Sequence, residues 1–375
     1  MSVGGIMLFK LYCPNCGNEY GINESIWKCS CGNYLNIKVE PDFSFDFKKV
    51  KVRSKCLWRY RELIPIEKDE NIVSFNEGFT PIVKMRKNIF LKLDYMFPTG
   101  SFKDRGATVL ISKLKEIGVK SIVEDSSGNA GIAISAYSAA AKIKCSIYVP
   151  EIISEEKYMQ LKIYGAKVVK IKGTREDVAK EALREAEKTY YAGHNWNPFF
   201  IEGTKTIAYE IFEQIGVPDN IIVPIGGGSL ILGIYKGFKE LESMGIIDKM
   251  PKLYGVQSDV CKPIYYGLLG KEPKDTIKGE VLAEGIAVNK PPRGKEIVKA
   301  IKETEGNVIT VNNNEIIQGI LELGKMGIFA EITSGVVIPA LKKANLEEDE
   351  VTVAIITGNG LKTASKLAKI LSKYK

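Results

Sequence analysis

The chain has 375 residues, which is long enough for two or three domains with buried cores. Hydrophobic residues make up 45% and charged residues 26%, as in an ordinary soluble globular protein, and no apolar run reaches the roughly 18 residues that would span a bilayer. The net charge of +8 would suit a nucleic-acid partner, but the lysines are scattered and not gathered in one block, which favours a solvated surface. We therefore expect no nucleic-acid or membrane partner, and a cytoplasmic location because residues 1–10 lack the basic start of a signal peptide.

Residues 1–45 form the first predicted unit. Four of the seven cysteines lie here, in two close pairs that are each followed by a glycine. The predicted metal ligands are Cys13, Cys16, Cys29 and Cys31. Four thiolates suit a closed tetrahedral zinc site, which would stabilise a segment too short to have much of a core. The second pair has C-x-C spacing, tighter than the usual C-x-x-C, so a metal-free ribbon with free thiols stays an alternative.

From about residue 70 onward, short β-branched runs alternate with helical stretches. Strands are predicted at 121–124, 145–149, 167–171, 220–225, 253–256 and 351–356. Helices are predicted at 130–142, 154–164, 175–190, 229–241, 315–326 and 361–372. Alternation of this kind is typical of an α/β fold with largely parallel sheets.

One lysine stands in a polar, glycine-flanked turn before an apolar helix. The segment reads Pro-Thr-Gly-Ser-Phe-Lys-Asp-Arg-Gly, with the lysine at Lys103. A lysine at a helix N-terminus gains nothing from the helix dipole, which is positive there. A neutral amine or a Schiff base would remove this conflict, so the pattern points to a reactive lysine as well as to an ordinary solvated one.

Two glycine-bearing segments lie where a predicted strand gives way to a predicted helix. The first contains Ser126, Ser127, Gly128 and Asn129, and the second contains Gly226, Gly227, Gly228, Ser229 and Leu230. Such junctions present backbone N–H groups at a helix N-terminus, and glycine lets an anion approach closely. Neither segment has the G-x-G-x-x-G spacing of dinucleotide sites, so each is a candidate phosphate or carboxylate site or a simple tight turn.

These segments together resemble the threonine synthase family, within the tryptophan-synthase-β group of pyridoxal 5′-phosphate (PLP) enzymes. The lysine segment is similar to that family's Schiff-base motif, and Ser-Ser-Gly-Asn-Ala-Gly at 126–131 is similar to its asparagine loop. Thr-Gly-Asn-Gly-Leu-Lys at 357–362 resembles its C-terminal cofactor loop, and Glu-Gly-Phe-Thr-Pro at 77–81 resembles its entry motif. Order and spacing agree over roughly residues 70 to 370.

The resemblance implies a role for each candidate residue. Lys103 would bind PLP as a Schiff base and then move protons at the substrate carbons. Asn129 would hydrogen-bond the 3′-oxygen of the cofactor, the backbone of 226–230 would hold its phosphate, and Thr357 would hydrogen-bond its pyridine nitrogen. Ser126 and Ser127 would hold the carboxylate of a small amino-acid substrate.

The resemblance also implies an architecture. We expect a two-domain, fold-type-II PLP enzyme of α/β class with parallel sheets, preceded by the zinc ribbon of residues 1–45. Residues 111–189 would form a small mobile domain, and residues 46–110 with 190–375 a large PLP-binding domain. The oligomeric state is open, with a homodimer as one candidate.

Two departures from the family pattern bear on the substrate. The family usually has Asn-Pro-x-Arg-Ile-x-Gly, whose arginine helps bind the substrate phosphate, but this chain has Phe200 at the arginine position. The Gly-Gly-Gly-Ser at 226–229 looks more like the phosphate loop of threonine and serine dehydratases. The first hypothesis is conversion of O-phosphohomoserine and water to L-threonine and phosphate, with Arg293 or Lys205 as substitute phosphate contacts. The alternatives are a threonine or serine dehydratase that releases a 2-oxo acid and, more distantly, a zinc-ribbon protein that binds nucleic acid.

Overall fold

The structure, a computed structural model, describes residues 9–39, 45–272 and 279–373. Its strands are β1 (Phe9–Tyr12), β2 (Glu19–Gly21), β3 (Asn36–Val39), β4 (Ile82–Arg86), β5 (Ile89–Lys92), β6 (Ser121–Glu124), β7 (Lys144–Pro150), β8 (Lys167–Ile171), β9 (Tyr190–Tyr191), β10 (Asn220–Pro224), β11 (Lys252–Ser258), β12 (Asn307–Val311) and β13 (Thr352–Ile355). Its α-helices are α1 (Phe47–Val50), α2 (Lys103–Glu116), α3 (Asn129–Ala141), α4 (Glu155–Ile163), α5 (Arg175–Glu185), α6 (Pro198–Thr204), α7 (Thr206–Ile215), α8 (Ser229–Ser243), α9 (Pro263–Leu268), α10 (Gly294–Glu303), α11 (Asn313–Lys325), α12 (Val337–Lys343) and α13 (Ala364–Ser372).

The chain divides into two compact units. Unit 1 comprises Met1–Phe79 and Lys103–Thr206, and unit 2 comprises Thr80–Phe102 and Ile207–Lys375. The domain boundaries expected from the sequence remain a prediction. No helix of the described residues is both long and apolar enough to cross a bilayer. The expected cytoplasmic location and the homodimer also remain predictions.

Unit 1 contains two sheets. The N-terminal one is antiparallel, with strand order β2-β1-β3, and the other is parallel, with order β8-β7-β6-β9. In the parallel sheet Ile122 of β6 pairs with Cys145 and with Tyr190. Most of the buried hydrophobic residues of both sheets belong to one cluster, which includes Leu11 of β1 and Leu35, the residue just before β3. Burial of each such leucine contributes roughly 1.5–3 kcal/mol, so the N-terminal sheet is a packed part of unit 1.

Unit 2 contains a six-stranded sheet of order β12-β11-β10-β13-β5-β4. Its central strand β10 reads Asn-Ile-Ile-Val-Pro and is buried at every position, as expected for a parallel strand covered on both faces. Only β4 runs antiparallel, because a two-residue turn joins it to β5. Asn88 in that turn has φ of 59°, a conformation that asparagine tolerates better than most residues.

Most predicted elements are confirmed. The predicted strands 121–124 and 167–171 coincide with β6 and β8, and the predicted helices after the two glycine segments are α3 and α8. The predicted helix 175–190 is wrong at its end, since α5 stops at Glu185 and Tyr190–Tyr191 form strand β9. A β-branched threonine followed by two tyrosines favours a strand, which explains the earlier stop. The expectation of largely parallel sheets holds for β6–β9, whereas the six-stranded sheet is mixed.

Candidate active site

The residues just before Lys103 are held by the loop that begins at Thr357. Within unit 2, the backbone N–H of Phe102 donates to the Thr357 carbonyl at 3.0 Å, and Lys362 Nζ donates to the Thr99 carbonyl at 2.6 Å. Thr99 and Lys362 are 263 positions apart, so two distant motifs meet through a backbone hydrogen bond and a lysine side chain. Lys103 follows directly as the first residue of α2.

The hydroxyl of Thr357 is fixed by two neighbours in unit 2. Thr357 is 1% exposed, and its Oγ1 lies 3.1 Å from Ser334 Oγ and 3.5 Å from a carboxylate oxygen of Glu331. Ser334 Oγ also accepts the backbone N–H groups of Thr357 and Gly358, at 3.0 and 3.1 Å. A Cβ on Gly358 would collide with the Glu331 carboxylate. One serine and one glutamate thus set the position of this loop.

The second glycine segment joins the end of β10 to the start of α8. Gly228 is the N-cap of α8 with φ of 94°, a conformation that side-chain-bearing residues rarely adopt. A Cβ on Gly228 would collide with Ile297, and one on Gly226 would collide with the Gly285 carbonyl. No side chain caps the helix at Gly228, so its first turn presents backbone N–H groups to the loop. Because the helix dipole is positive here, the segment suits an anion such as a phosphate.

In unit 1 the Lys103 side chain lies over a buried aromatic ring. Its Nζ is 5.5 Å from the centroid of Phe200, which is 0% exposed. The Phe200 ring packs so closely on Gly106 that a Cβ there would collide with it. This separation falls within the range of a cation–π contact, so the phenyl ring favours a charged lysine modestly and offers no partner to an anion.

A buried carboxyl–imidazole pair lies behind the same ring. His194 Nδ1 is 2.8 Å from Glu124 Oε1, and the His194 ring lies 5.7 Å from the Phe200 ring. Burial, and then the charge of Asp125, raises the pKa of Glu124 well above its usual range. Burial, and then the charge of Lys103, lowers the pKa of His194 well below its usual range. Both directions favour the uncharged forms of the two groups.

The first glycine segment lies at the start of α3. Gly128 is the N-cap of that helix, and its backbone N–H donates to Ser126 Oγ at 3.3 Å. Gly131 lets the helix approach the preceding loop closely, because a Cβ there would collide with the Ser126 carbonyl. Asn129 is the first helical residue, and Ser127 is partly exposed. Hydroxyls and N–H groups at a helix N-terminus suit a carboxylate.

The four N-terminal cysteines form a cluster in unit 1. Their sulfur atoms all lie within 4.8 Å of one another, and Gly17 and Gly32 after the pairs have φ of 78° and 84°. The Sγ atoms of Cys13 and Cys31 are 3.6 Å apart. Those of Cys16 and Cys29 are 3.5 Å apart.

Comparison with known proteins assigns the family. The family model described as "Pyridoxal-phosphate dependent enzyme" matches residues 73–358. The chain is 38% identical to the threonine synthase of Methanocaldococcus jannaschii, over 93% of this chain and 92% of that protein. It is 33% identical to the threonine synthase of Methanosarcina acetivorans, over 95% of this chain and 92% of that protein. The chain belongs to the threonine synthase family of PLP-dependent enzymes.

The threonine synthase family assignment confirms the predicted PLP-dependent lyase. The processed form of threonine deaminase isoform 2 from Solanum lycopersicum superposes with a TM-score of 0.66, covering 78% of this chain and 83% of that chain. This likeness confirms the predicted α/β fold of the fold-type-II enzymes. At 22% identity it concerns the fold and gives no support to the dehydratase alternative.

The predicted site residues of this threonine synthase family member fall in both units. Lys103, Ser126, Ser127 and Asn129 are in unit 1, whereas residues 226–230 and Thr357 are in unit 2. Their roles remain predictions. Sequence reasoning missed Ser334 and Glu124, and no local signal marks Ser334. A buried carboxyl at the end of a strand, just before a glycine loop, was the one available hint for Glu124.

Proposed function

We propose that this chain converts O-phosphohomoserine and water to L-threonine and phosphate, as a PLP-dependent carbon–oxygen lyase. The observation that carries the proposal is the 38% identity to a threonine synthase over 93% of the chain. The intact lysine segment that leads into α2 gives independent support from the sequence.

The residues of the chain fit PLP. Lys103 would hold the cofactor covalently, and its Nζ would then move protons at the substrate carbons. The N–H groups at 226–230 would bind the cofactor phosphate, where the glycines leave room for an anion. Asn129 would donate to the 3′-oxygen. PLP, when bound, supplies an electron sink for the substrate's α carbon.

Thr357 would contact the pyridine nitrogen. A neutral hydroxyl there, in place of a carboxylate, leaves that nitrogen largely unprotonated. The contacts with Ser334 and Glu331 support this assignment, because they hold the hydroxyl in one place. Ser126 and Ser127 would bind the substrate carboxylate, which keeps the α carbon in a fixed orientation.

Binding of the substrate phosphate calls for a positively charged side chain at the site. Phe200 is buried where the family usually has an arginine. Lys205 pairs with Glu202 at 2.5 Å, and Arg293 pairs with Glu296 at 2.9 Å. A cation already paired with a carboxylate offers less charge to a phosphate dianion. Loss of one charged contact to the substrate phosphate costs about 2–5 kcal/mol, or roughly 30- to several-thousand-fold in specificity. The buried phenylalanine therefore favours a threonine or serine dehydratase as the second candidate.

The experiment is a comparison of substrates. The PLP-loaded enzyme is incubated in turn with O-phosphohomoserine, L-threonine and L-serine, and phosphate, threonine, ammonia and 2-oxo acid are measured. We expect phosphate and L-threonine in equal amounts from the first substrate. Ammonia and 2-oxobutanoate from L-threonine, with O-phosphohomoserine inert, would overturn the proposal in favour of the dehydratase.

The cysteine cluster is proposed as a structural zinc site. Zn–S bonds of about 2.3 Å in a tetrahedron place sulfur atoms about 3.8 Å apart. The observed separations of 3.5 and 3.6 Å are close to that value and support a four-thiolate site. All four ligands come from the protein, so the metal would stabilise the N-terminal sheet and take no part in catalysis.

A further inference from the structure

An aromatic contact joins the N-terminal sheet to strand β9 within unit 1. Trp27 lies on the segment between β2 and β3, two residues before the predicted zinc ligand Cys29. Its ring centroid is 4.7 Å from that of Tyr191, at an interplanar angle of 61°. It is also 5.7 Å from Trp196, at 83°. Edge-to-face pairs of this kind are favourable contacts beyond the area they bury.

Tyr191 continues the connection to the first glycine segment. It is 3% exposed, and its hydroxyl donates to Asp125 Oδ1 at 2.9 Å. Asp125 directly precedes Ser126 in the chain. The Tyr191 ring also covers Gly193, where a Cβ would collide with it, so the ring has little freedom to move. Burial raises the pKa of the Tyr191 hydroxyl well above its usual range, so it stays a donor at any physiological pH.

A second contact fixes the same segment of the N-terminal sheet. The Tyr190 hydroxyl donates to the Ile26 carbonyl at 3.1 Å, and Asn197 Nδ2 donates to the Tyr190 hydroxyl at 2.8 Å. Neighbouring residues of a strand point to opposite faces, so Tyr190 and Tyr191 each bind this segment from a different side of β9. Strand β9 in turn pairs with β6, whose end leads into Asp125.

We infer that Trp27 is a positioning residue for the Ser126–Ser127 segment, acting through Tyr191 and Asp125. The inference rests on the proposed function, in which that segment binds the substrate carboxylate. Without the indole ring, Tyr191 loses its cover and its hydrogen bond to Asp125 loosens. An aromatic pair of this geometry corresponds to a factor of about two to ten in an equilibrium constant, so substrate binding should weaken by roughly that factor.

The test compares four variants of the PLP-loaded enzyme. Trp27→Ala removes the ring, and Trp27→Phe keeps an edge-to-face partner. Tyr191→Phe removes only the hydroxyl that donates to Asp125. It still tests the connection to Asp125 if Trp27→Ala folds poorly. Ile22→Ala is the matched control, because Ile22 packs on the main hydrophobic cluster of unit 1 and not on the cluster around Tyr191. The readouts are kcat and KM for O-phosphohomoserine, the affinity for L-threonine from the cofactor absorbance, and amide hydrogen exchange of residues 122–131.

We expect Trp27→Ala and Tyr191→Phe to raise KM and weaken L-threonine binding about two- to tenfold, with a smaller change in kcat. Exchange of the amides at 125–128 should be faster, while Trp27→Phe and Ile22→Ala stay close to wild type. Unchanged exchange and unchanged affinity in Trp27→Ala would overturn the inference. Faster exchange with unchanged affinity would support the structural connection and would instead contradict the carboxylate role assigned to Ser126 and Ser127.

Discussion

Replacement of Phe200 by arginine tests whether this position can bind a substrate phosphate. The substitution restores the residue that the family usually has, so a simple reading expects better use of O-phosphohomoserine. The surroundings of Phe200 argue against that outcome. The ring is buried against Gly106 and His194, with Lys103 Nζ 5.5 Å from its centroid. A guanidinium group in the same volume would face the lysine, and the nearby Glu124 carboxyl already contacts His194.

The loss of stability expected for Phe200→Arg follows from the distance between Lys103 Nζ and the Phe200 ring. In the PLP-free protein, where Lys103 is a free ammonium group, two like charges 5.5 Å apart repel by about 3 kcal/mol at an effective dielectric constant of about 20. For a unit of this size, about 3 kcal/mol corresponds to a decrease of roughly 6–12 °C in Tm. The control Phe200→Leu keeps an apolar side chain and should lower Tm by only a few degrees, since near-isosteric apolar exchanges cost less than about 1.5 kcal/mol.

The assay combines thermal unfolding of the PLP-free protein with kinetics of the PLP-loaded enzyme. We expect Phe200→Arg to unfold at a clearly lower temperature than Phe200→Leu and to have no lower KM for O-phosphohomoserine than wild type. A Phe200→Arg enzyme with unchanged Tm and a KM lowered by about tenfold, a gain of about 1.4 kcal/mol, would refute this reasoning. Such a result would mean that the space around position 200 accepts a guanidinium group and brings it to the substrate phosphate.

Three further predictions concern the metal, the histidine and the phosphate loop. Elemental analysis should find about one zinc per chain, and Cys29→Ser should lose it; protein purified without chelator and free of zinc would contradict the site. The chain has one histidine, so the histidine ring signal in an NMR spectrum belongs to His194. We expect this signal not to titrate between about pH 5.5 and 8, because burial lowers the pKa of His194. A titration midpoint near the ordinary value of about 6.5 would contradict the buried pair. Since the unfolded chain takes up that proton below about pH 6.5 and the folded state does not, stability relative to His194→Asn should fall as the pH drops from about 7 to 5.5. Gly228→Ala should weaken PLP binding at least about tenfold. The control Gly245→Ala, also at positive φ but with open space around it, should leave PLP binding unchanged. Equal PLP affinities of the two variants would exclude the loop as the phosphate site.

Local patterns were sufficient to predict the elements around the site. Strand β10 and helix α8 follow from a run of β-branched residues, a glycine turn and an amphipathic stretch, all within 25 residues of one another. The lysine segment and the Thr357 loop were identified as motifs, and the structure adds the hydrogen bonds that join them.

Contacts between distant residues were not predictable in the same way. The Glu124–His194 pair joins residues 70 positions apart, and Tyr191 meets Asp125 across 66 positions. Neither pair has a spacing or a composition that sets it apart from ordinary polar residues. The sequence alone therefore indicates no partner for His194, and the pair became visible once β6 and the segment after β9 were placed side by side.

The attachment site of the cofactor tests the central claim most directly. The PLP-loaded protein is reduced with borohydride, digested, and its labelled peptide sequenced by mass spectrometry, with Lys103→Ala treated in parallel. We expect a single modified lysine, Lys103, in the wild type, and a folded Lys103→Ala protein in which no lysine is modified. A label on any other lysine, or a protein that binds no PLP, would contradict the account.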